Sequence, residues 1–311
     1  MGGCKMKEEQ LSPYTNNIFE QRWWLEAVAP DIQWHEQVVR KDDEVVARWM
    51  MPESNSFIMP PVTQTLGYWL SDKVVSINQE DERKELINTL IQSLPREVDI
   101  CLAPEDSYFL PFYWAGFTVK PRVTYRINDL SNLEAIYDSF WPILKKRIKS
   151  AANKVKVVES DDTDLLHALL EKTFERQHKS YRFSKERLRH IYEVAKAHEA
   201  VKLLFAQDQE GNVHSGVLFL YDEKVCYYLM TGNDPEYRKS GANSLLLWEG
   251  IKFAAEHSQS FDFEGSMIEG VETFVRQFGG TMTVYYQVIR RGVLKTMKQQ
   301  LKSEVKKLIH Y

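Results

Sequence analysis

The sequence predicts a mixed α/β protein made of two tandem units, and three observations support this fold class. The chain has 311 residues, which corresponds to about two domains of ~150 residues each. Apolar residues recur alternately at helical and at strand spacing along the chain. The two halves also share one order of elements: a hairpin, a helix, a short strand with an acidic residue, a glycine-bearing connector and a long strand. Such a repeat is typical of an internal duplication.

The repeat places the domain boundary near Asp129. Asp99 in the first half corresponds to Asp262 in the second, and Gly116 corresponds to Gly279. We therefore predict an N-terminal domain at residues 1–129 and a C-terminal domain at residues 130–311. Domains of this size can each bury a core without disulfide bonds.

In the first half, the predicted elements are two helices, a hairpin and two further strands. Apolar residues from Ile18 to Val28 follow helical spacing, which predicts a helix over residues 17–29. The polar run at 41–44 separates the strands of a hairpin within residues 37–51. Pro60 and Pro61 forbid a helix and keep residues 60–69 extended. An amphipathic helix is predicted at 80–94, and short strands at 98–103 and 119–127.

The second half has clearer boundaries between its elements. A helix at 133–155 is interrupted at Trp141-Pro142. Asp161 or Asp162 caps the next helix, which extends to about residue 178, and Ser184 caps a third. The other strands are predicted at 200–206, 213–220, 224–230, 260–264 and 281–289, and the other helices at 185–197, 243–257, 269–278 and 291–310.

Composition excludes several classes of protein. The formal charge of −4 argues against a chain that coats nucleic acid over its whole surface. Three widely spaced cysteines without a CxxC pair predict neither a disulfide framework nor a zinc site, and they suit a reducing cytosol. No apolar run approaches the ~18 residues of a membrane span, and the first residues lack the apolar core of a secretory signal. We therefore expect a cytoplasmic protein.

Histidine spacing and motif content exclude two further classes. The histidines do not cluster, and the HExxH, GxSxG and GxGxxG patterns are absent from the sequence. The sequence therefore predicts no metal ligands and no hydrolase triad.

A glycine-bearing loop precedes the apolar helix of the second half and is the candidate donor-binding segment. Its residues are Arg238, Lys239, Ser240, Gly241, Ala242 and Asn243. At a helix N-terminus, exposed backbone N–H groups and the positive end of the helix dipole favour a phosphate, and two cations add to this. An ordinary strand-to-helix turn has the same pattern, so both interpretations stay open.

Four side chains in the second half are candidates for catalysis: Asp262, Glu264, Tyr285 and Tyr286. Strand alternation places the two carboxylates on one face and the neighbouring phenylalanines on the other. A carboxylate beside a phosphate loop can act as a general base or bind an amine, and a phenol can protonate a leaving group. A solvated strand face and packed aromatic rings are the alternatives.

Two segments are strongly basic. Residues 145–156 hold six Lys or Arg and no acid, and residues 290–311 hold seven Lys or Arg and one Glu, so residues 1–289 carry −10. The predicted C-terminal helix has an apolar stripe beside lysines at 295, 298, 302 and 306. Such a helix either docks on its own domain or contacts an anionic membrane surface or RNA phosphates.

Four motifs follow one another in the second half. Gly241-Ala242 precedes a leucine-rich helix, Phe-Asp-Phe-Glu-Gly-Ser-Met-Ile begins at residue 261, Phe-Val-Arg-Gln-Phe-Gly-Gly begins at residue 274, and Tyr285-Tyr286 follows. With the extended segment from Pro60 to Gly67, this pattern resembles the FemA/B/X-like branch of the GNAT acyltransferase superfamily. The resemblance covers about residues 15–290. It implies two tandem GNAT-like domains, each a mostly antiparallel, twisted sheet flanked by helices.

The resemblance also implies a reaction and a donor. An acyl group would move from a coenzyme A thioester to an amine, with acyl-CoA as donor substrate and no permanently bound cofactor. The C-terminal domain would bind the donor and the N-terminal domain would shape an acceptor groove. The GNAT phosphate loop reads Arg/Gln-x-x-Gly-x-Gly/Ala; Arg238 and Gly241 match it, and Asn243 departs from it. By the same resemblance, Asp262 or Glu264 would handle the amine, and either tyrosine would protonate the leaving group.

Several acceptors and two other functions remain open at this point. The acceptor is expected to be an amine on a small molecule or on a lipid-linked molecule of cell-envelope or polysaccharide biosynthesis. The C-terminal helix would bring the enzyme to the inner face of the membrane. One alternative is an aminoacyl-tRNA-dependent peptidoglycan-precursor aminoacyltransferase, favoured by the basic segments and disfavoured by the acidic net charge. The other is a non-catalytic duplicated GNAT-like binding protein.

Overall fold

The chain folds into two compact units. The computed structural model describes residues 11–75, 80–181, 183–265 and 267–291. The first unit combines the chain up to Arg122 with the segment from Tyr285 onward, and the second unit is Val123–Val284. The chain therefore leaves the first unit and later returns to it. The mixed α/β fold class predicted from the sequence is confirmed.

In its described residues, the part of the first unit that precedes β6 contains four α-helices and five strands. They are α1 (Arg22–Val28), β1 (Trp34–Lys41), β2 (Glu44–Pro52), β3 (Ser56–Ile58), β4 (Tyr68–Leu70), α2 (Asp72–Val75), α3 (Glu80–Gln92), β5 (Glu97–Cys101) and α4 (Leu110–Trp114). Strand β6 (Thr118–Ile127) follows and extends into the second unit.

Two groups of strands surround the core of the first unit. Strands β1, β2 and β4 form an antiparallel sheet, while β3 lies parallel to β5. The ring of Trp49 is fully buried, and its centre lies 6.0 Å from that of Phe57, 5.5 Å from that of Tyr68 and 6.0 Å from that of Phe112. Aromatic packing around Trp49 thus holds the two groups of strands together.

The second unit contains the remaining helices and strands. They are α5 (Leu133–Ser139), α6 (Pro142–Ala152), β7 (Lys156–Glu159), α7 (Thr163–Arg176), α8 (Lys185–Ala197), β8 (Val201–Gln207), β9 (Val213–Tyr221), β10 (Val225–Asn233), α9 (Ala242–His257), β11 (Ser260–Asp262), α10 (Glu269–Val275) and β12 (Thr281–Arg290). Residues from Tyr285 in β12 belong to the first unit, where they pair antiparallel with β5.

The sheet of the second unit is antiparallel except at one pair of strands. Its order is β6-β11-β10-β9-β8-β7, and β10 and β11 are parallel. Helix α9 packs its buried face on this sheet, with Gly250 against Phe219 of β9. Strand β11 ends beside Tyr227, whereas β10 continues to Asn233. The candidate cleft lies beyond the end of β10, where the chain leads into α9.

Most of the local predictions are confirmed, and one strand is shorter than predicted. The helix break at Trp141-Pro142 occurs between α5 and α6, and the side chains of Asp162 and Ser184 cap α7 and α8. The strand predicted at 260–264 ends at Asp262. The basic helix predicted at 291–310 lies outside the described residues, apart from Arg291.

Candidate active site

A cleft of about 420 Å³ opens where α9 begins. The chain leaves β10 through a 3₁₀ turn, Pro235–Ser240, and reaches α9 through Gly241, whose φ is +81°. A Cβ on Gly241 would lie 2.8 Å from Cγ of Arg147 in α6. Glycine is therefore required at this position for two reasons: the left-handed backbone and the close approach of α6.

The 3₁₀ turn is anchored by Asp234. Its carboxylate accepts a hydrogen bond from the amide of Glu236 at 3.0 Å and pairs with Nζ of Lys172 at 2.5 Å. The amide of Asp234 donates to the carbonyl of His214. The His214 ring stacks on Tyr237 with 4.0 Å between the ring centres, and its Nε2 lies 3.1 Å from Asp208. The loop is thus held by contacts on both of its sides.

Three guanidinium groups from three elements line the cleft. Arg147 comes from α6, Arg176 is the last residue of α7, and Arg238 lies in the 3₁₀ turn. Among the described residues, no carboxylate lies within ion-pair distance of any of the three; Arg147 contacts the amide oxygen of Gln277 at 3.5 Å. The cleft therefore concentrates positive charge that a bound anion would neutralise.

Asn243 is the position that departs from the GNAT loop pattern. Its Oδ1 accepts a hydrogen bond from Thr231 at 2.9 Å, and its Nδ2 donates to the hydroxyl of Tyr228 at 3.1 Å. Burial raises the pKa of Tyr228 to about 12, so this hydroxyl stays protonated. The asparagine side chain thus links the first turn of α9 to β10, and Asn243 is also one of the residues that line the cleft.

Asp262 is fully buried at the end of β11. Its carboxylate accepts hydrogen bonds from Thr124 Oγ1 at 2.5 Å, from Arg126 Nε at 2.5 Å and from the amide of Glu264 at 2.7 Å. These three donors satisfy both oxygens of the buried carboxylate. Asp262 therefore joins β6 to β11 and sets the direction of the chain that follows.

Glu264 does not share a strand face with Asp262, so the alternation predicted from the sequence is wrong. The strand ends at Asp262, and Glu264 adopts φ +53°, followed by Gly265 at φ +36°. A Cβ on Gly265 would lie 2.2 Å from Cα of Thr124, so the turn is forced against β6. A left-handed residue other than glycine costs roughly 1–3 kcal/mol, and such strain concentrates at functional sites.

The carboxyl group of Glu264 has an oxygen that lacks a hydrogen-bond partner in the described part of the chain. Its Oε1 is buried and has no hydrogen-bond partner among the described residues. Burial raises the pKa of Glu264 well above its usual range, and the neighbouring Asp262 adds to this effect. The group is thus poised to exchange a proton at higher pH than an exposed glutamate.

The two tyrosines belong to the part of β12 that lies in the first unit. Tyr285 is buried, and the carbonyl of Tyr286 accepts a hydrogen bond from the amide of Leu102 at 2.8 Å. The ring of Tyr286 packs on Phe109 with 4.5 Å between the ring centres. The six loop residues and the two acids thus belong to one unit and both tyrosines to the other. All loop residues except Lys239 line the cleft, and neither Asp262 nor Glu264 does.

Sequence reasoning missed several residues of the cleft, among them Arg147, Arg176 and His214. Arg147 lies in the basic segment at 145–156, and this concentration of positive charge was an indication of anion binding that the sequence did contain. Arg176 and His214 are far from the loop in the sequence, and only the packing of α7 and β9 brings them to it. Among the described residues, no group of three or more His, Cys, Asp or Glu could hold a metal ion.

Comparison with known proteins agrees with this geometry. Residues 143–273 match the family described as the acetyltransferase (GNAT) domain. The fold is similar to that of FemX, with 14% identity, 87% of this chain and 92% of FemX covered, and a TM-score of 0.65. It is also similar to the C-terminal domain of a proposed lysylphosphatidylglycerol synthetase from Agrobacterium fabrum, with 11% identity, 89% and 93% covered, and a TM-score of 0.52.

A third solved structure with this fold has two GNAT units. It is a tandem GNAT protein from the clavulanic acid biosynthesis pathway, with 12% identity, 84% of this chain and 83% of that chain covered, and a TM-score of 0.52. No curated protein matches the sequence significantly. The cleft lies within the matched GNAT domain except for Phe274.

The fold and the matched domain define the class of protein. Residues 143–273 match the acetyltransferase (GNAT) domain, and the whole chain has a fold similar to that of FemX and of a tandem GNAT protein. The predicted resemblance to the FemA/B/X-like branch of the GNAT superfamily is thus confirmed.

Proposed function

We propose that this protein is an N-acyltransferase that takes an acyl group from a coenzyme A thioester and transfers it to an amine. The cleft at the start of α9 carries the proposal, because it is lined by three arginines that have no carboxylate partner in the part of the chain that the structure describes. Its volume of about 420 Å³ lies within the range of small-molecule sites. A ligand with several phosphates would neutralise the charge of the arginines and interact favourably with the positive end of the α9 dipole.

The transfer needs one bond to form and one to break. The amine nitrogen attacks the thioester carbonyl carbon, the carbon–sulfur bond breaks, and the thiolate takes up a proton. The nitrogen loses a proton, and we assign this step to Glu264, because its raised pKa makes the carboxylate a stronger base than an exposed glutamate. Asp262 positions Glu264 through the hydrogen bond from the Glu264 amide. Protonation of the thiolate by Tyr285 or Tyr286 stays a prediction.

The acceptor is proposed to be an amine on a small molecule or a lipid-linked molecule of the cell envelope or of a polysaccharide. The proposed cellular place is the cytoplasm, at the inner face of the membrane when the acceptor is lipid-linked. None of the helices in the described ranges has the length and apolar character needed to cross a bilayer.

Transfer from an aminoacyl-tRNA is the second candidate, and one observation favours it. Helix α6 contributes Arg147 to the cleft, and Lys146 and Lys149 of the same helix are exposed. A run of cations that leads away from a phosphate-binding cleft suits a phosphodiester backbone. Binding measurements with acetyl-CoA, coenzyme A and bulk tRNA separate the two donors, and binding of none would favour a non-catalytic protein.

Arg238→Ala tests the donor site directly. A charge-assisted phosphate contact contributes about 1.5–3 kcal/mol, so we expect coenzyme A affinity to fall about tenfold or more. Isothermal titration calorimetry of the wild type and the variant gives the two dissociation constants. The matched control is Arg189→Ala, which removes a surface arginine paired with Asp164 on α7. Equal affinity in all three proteins would contradict the assignment of the cleft.

A further inference from the structure

Exposed apolar side chains border the donor cleft. Ile143 is 55% exposed and lies one helical turn before Arg147 on α6. Val271 is 41% exposed and lies three residues before Phe274 on α10. Arg147 and Phe274 both line the cleft. Since residues three or four apart are neighbours on a helix surface, Ile143 and Val271 stand at the edge of the cleft.

Two contacts join α6 to the end of α10 at this edge. The amide of Trp141 donates a hydrogen bond to the carbonyl of Gln277 at 3.0 Å. The guanidinium carbon of Arg276 lies 5.5 Å from the centre of the Trp141 ring, which is 43% exposed. Met267 and Ile268 extend the exposed surface before α10. We call Trp141, Ile143, Met267, Ile268 and Val271 the apolar rim.

Lysines flank the apolar rim on α6. Lys146 and Lys149 are exposed and lie three and six residues after Ile143, which places all three on one side of the helix. If a protein partner covered Ile143, these two lysines would lie in or beside the interface. Lysine is depleted in protein–protein interfaces, so this surface does not suit a protein partner. Tryptophan and aliphatic side chains beside lysines are instead the pattern of a surface that lies on a bilayer.

Most carboxylates near the apolar rim have a hydrogen-bond or ion-pair partner. Asp138 lies 3.4 Å from Lys145. Glu272 accepts a hydrogen bond from the hydroxyl of Tyr125 at 2.6 Å and lies 3.6 Å from Arg276. Glu269 is exposed at the start of α10. The rim thus presents two lysines and one glutamate without an ion-pair partner among the described residues, in addition to the arginines of the cleft.

We propose that the apolar rim, with Lys146 and Lys149, docks the second unit on a bilayer that contains anionic phospholipids. The apolar side chains enter the boundary between headgroups and acyl chains, and the lysines contact the phosphates. Docking in this position places the mouth of the cleft at the headgroup layer. The proposal concerns binding and does not depend on the transfer reaction.

Co-sedimentation of the full-length protein with vesicles tests the proposal. The vesicles contain phosphatidylcholine alone or phosphatidylcholine mixed with phosphatidylglycerol, at low and at physiological salt. The rim variants are Ile143→Ser/Val271→Ser and Lys146→Glu/Lys149→Glu. Because each lysine near the surface contributes about 1 kcal/mol, we expect the charge variant to lower partitioning onto anionic vesicles about tenfold or more.

Two controls match the rim variants away from the rim. Val158→Ser removes an apolar side chain that is 41% exposed on β7. Lys179→Glu/Lys185→Glu makes the same change of net charge at two exposed positions, one between α7 and α8 and one at the first residue of α8. We expect both controls to bind anionic vesicles as the wild type does. Circular dichroism of every variant confirms that the fold is retained.

Several outcomes would overturn the proposal. They are absence of wild-type binding to anionic vesicles, unchanged binding of the rim variants, equal loss in the rim and control charge variants, and binding to RNA without binding to vesicles. Coenzyme A affinity is measured on the same proteins. If the protein does not bind coenzyme A, the proposed transferase function is contradicted, but the vesicle result is unaffected. The proposed function and the proposed membrane docking can therefore be rejected independently.

Discussion

Asp262 and Glu264 are two residues apart, and their carboxyl groups have opposite surroundings. Asp262 is fully buried and paired with Arg126, whereas Oε1 of Glu264 is buried without a hydrogen-bond partner among the described residues. The first arrangement joins β6 to β11 through a buried ion pair, and the second favours the protonated form of Glu264 because burial raises the pKa of Glu264. The two residues therefore differ in what they contribute to stability and to catalysis.

Matched neutral variants separate these contributions. Asp262→Asn leaves the guanidinium of Arg126 buried without its charge partner, so we expect a loss of about 3–5 kcal/mol in the free energy of unfolding. Glu264→Gln mimics the protonated form, so we expect unchanged or higher stability at neutral pH and turnover lower by about 10²-fold. Urea unfolding and single-turnover transfer assays measure the two effects. Full activity of Glu264→Gln would remove Glu264 from the mechanism.

Glu264 makes the stability of the folded protein decrease as the pH rises. The folded state holds the pKa of Glu264 above its usual value of 4.5. Its contribution to stability is complete below that value and is lost as the pH rises toward the raised pKa, because the unfolded chain releases the proton first. Glu264→Gln therefore flattens the fall of stability with rising pH above about 4.5.

At the scale of the element, α9 depends on one glycine in its interior. A Cβ on Gly250 would lie 2.1 Å from Cζ of Phe219, which is fully buried. We expect Gly250→Ala to destabilise the protein by about 1–3 kcal/mol through overpacking, despite the better helix propensity of alanine. Thermal unfolding measures the shift.

Gly270 in α10 is the control for this prediction. A Cβ on Gly270 meets no atom within 4 Å. Gly270→Ala should therefore stabilise the protein by about 0.5–1 kcal/mol, since alanine loses less backbone freedom on folding. Equal effects of the two substitutions would mean that α9 does not pack on β9 as described.

The elements show where sequence reasoning succeeds and where it stops. Helix limits at Asp162, Ser184 and Pro142 follow from local capping and ring geometry, and the sequence predicts them. The end of β11 depends on the approach of Thr124, which is 138 residues away from Asp262. The position of Arg176 also depends on contacts distant in the sequence, because the packing of α7 brings this residue to the loop. Non-local contacts of this kind leave no periodic signal in the sequence.

At the scale of the molecule, the first unit is built from both ends of the described chain. Residues Gln287–Arg290 of β12 pair with Val98–Cys101 of β5. The guanidinium of Arg290 donates to the carbonyls of Leu94 and Pro95 at 3.0 and 2.8 Å. The sequence predicted a division into residues 1–129 and 130–311, and the repeat on which that division rested does not reveal the return of β12.

A fragment of residues 1–129 tests this arrangement. Without β12, strand β5 loses its antiparallel neighbour, and we expect the fragment to lack a cooperative unfolding transition. Near-ultraviolet circular dichroism reports on its buried tryptophans, among them Trp24 and Trp49. A native-like spectrum and a sharp transition for the fragment alone would contradict the expectation. Addition of a peptide that spans 285–291 is the companion measurement.

The return of β12 also bears on the order of events during synthesis. The second unit is one continuous segment, and its last residue is made before the strand that completes the first unit. At roughly 5–20 residues per second, the ribosome needs on the order of 10–30 s to pass from Arg122 to Tyr285. During that interval β5 has an open edge, which is a site for wrong pairing between nascent chains. The unit that emerges first is therefore the one that finishes last and depends longest on chaperones.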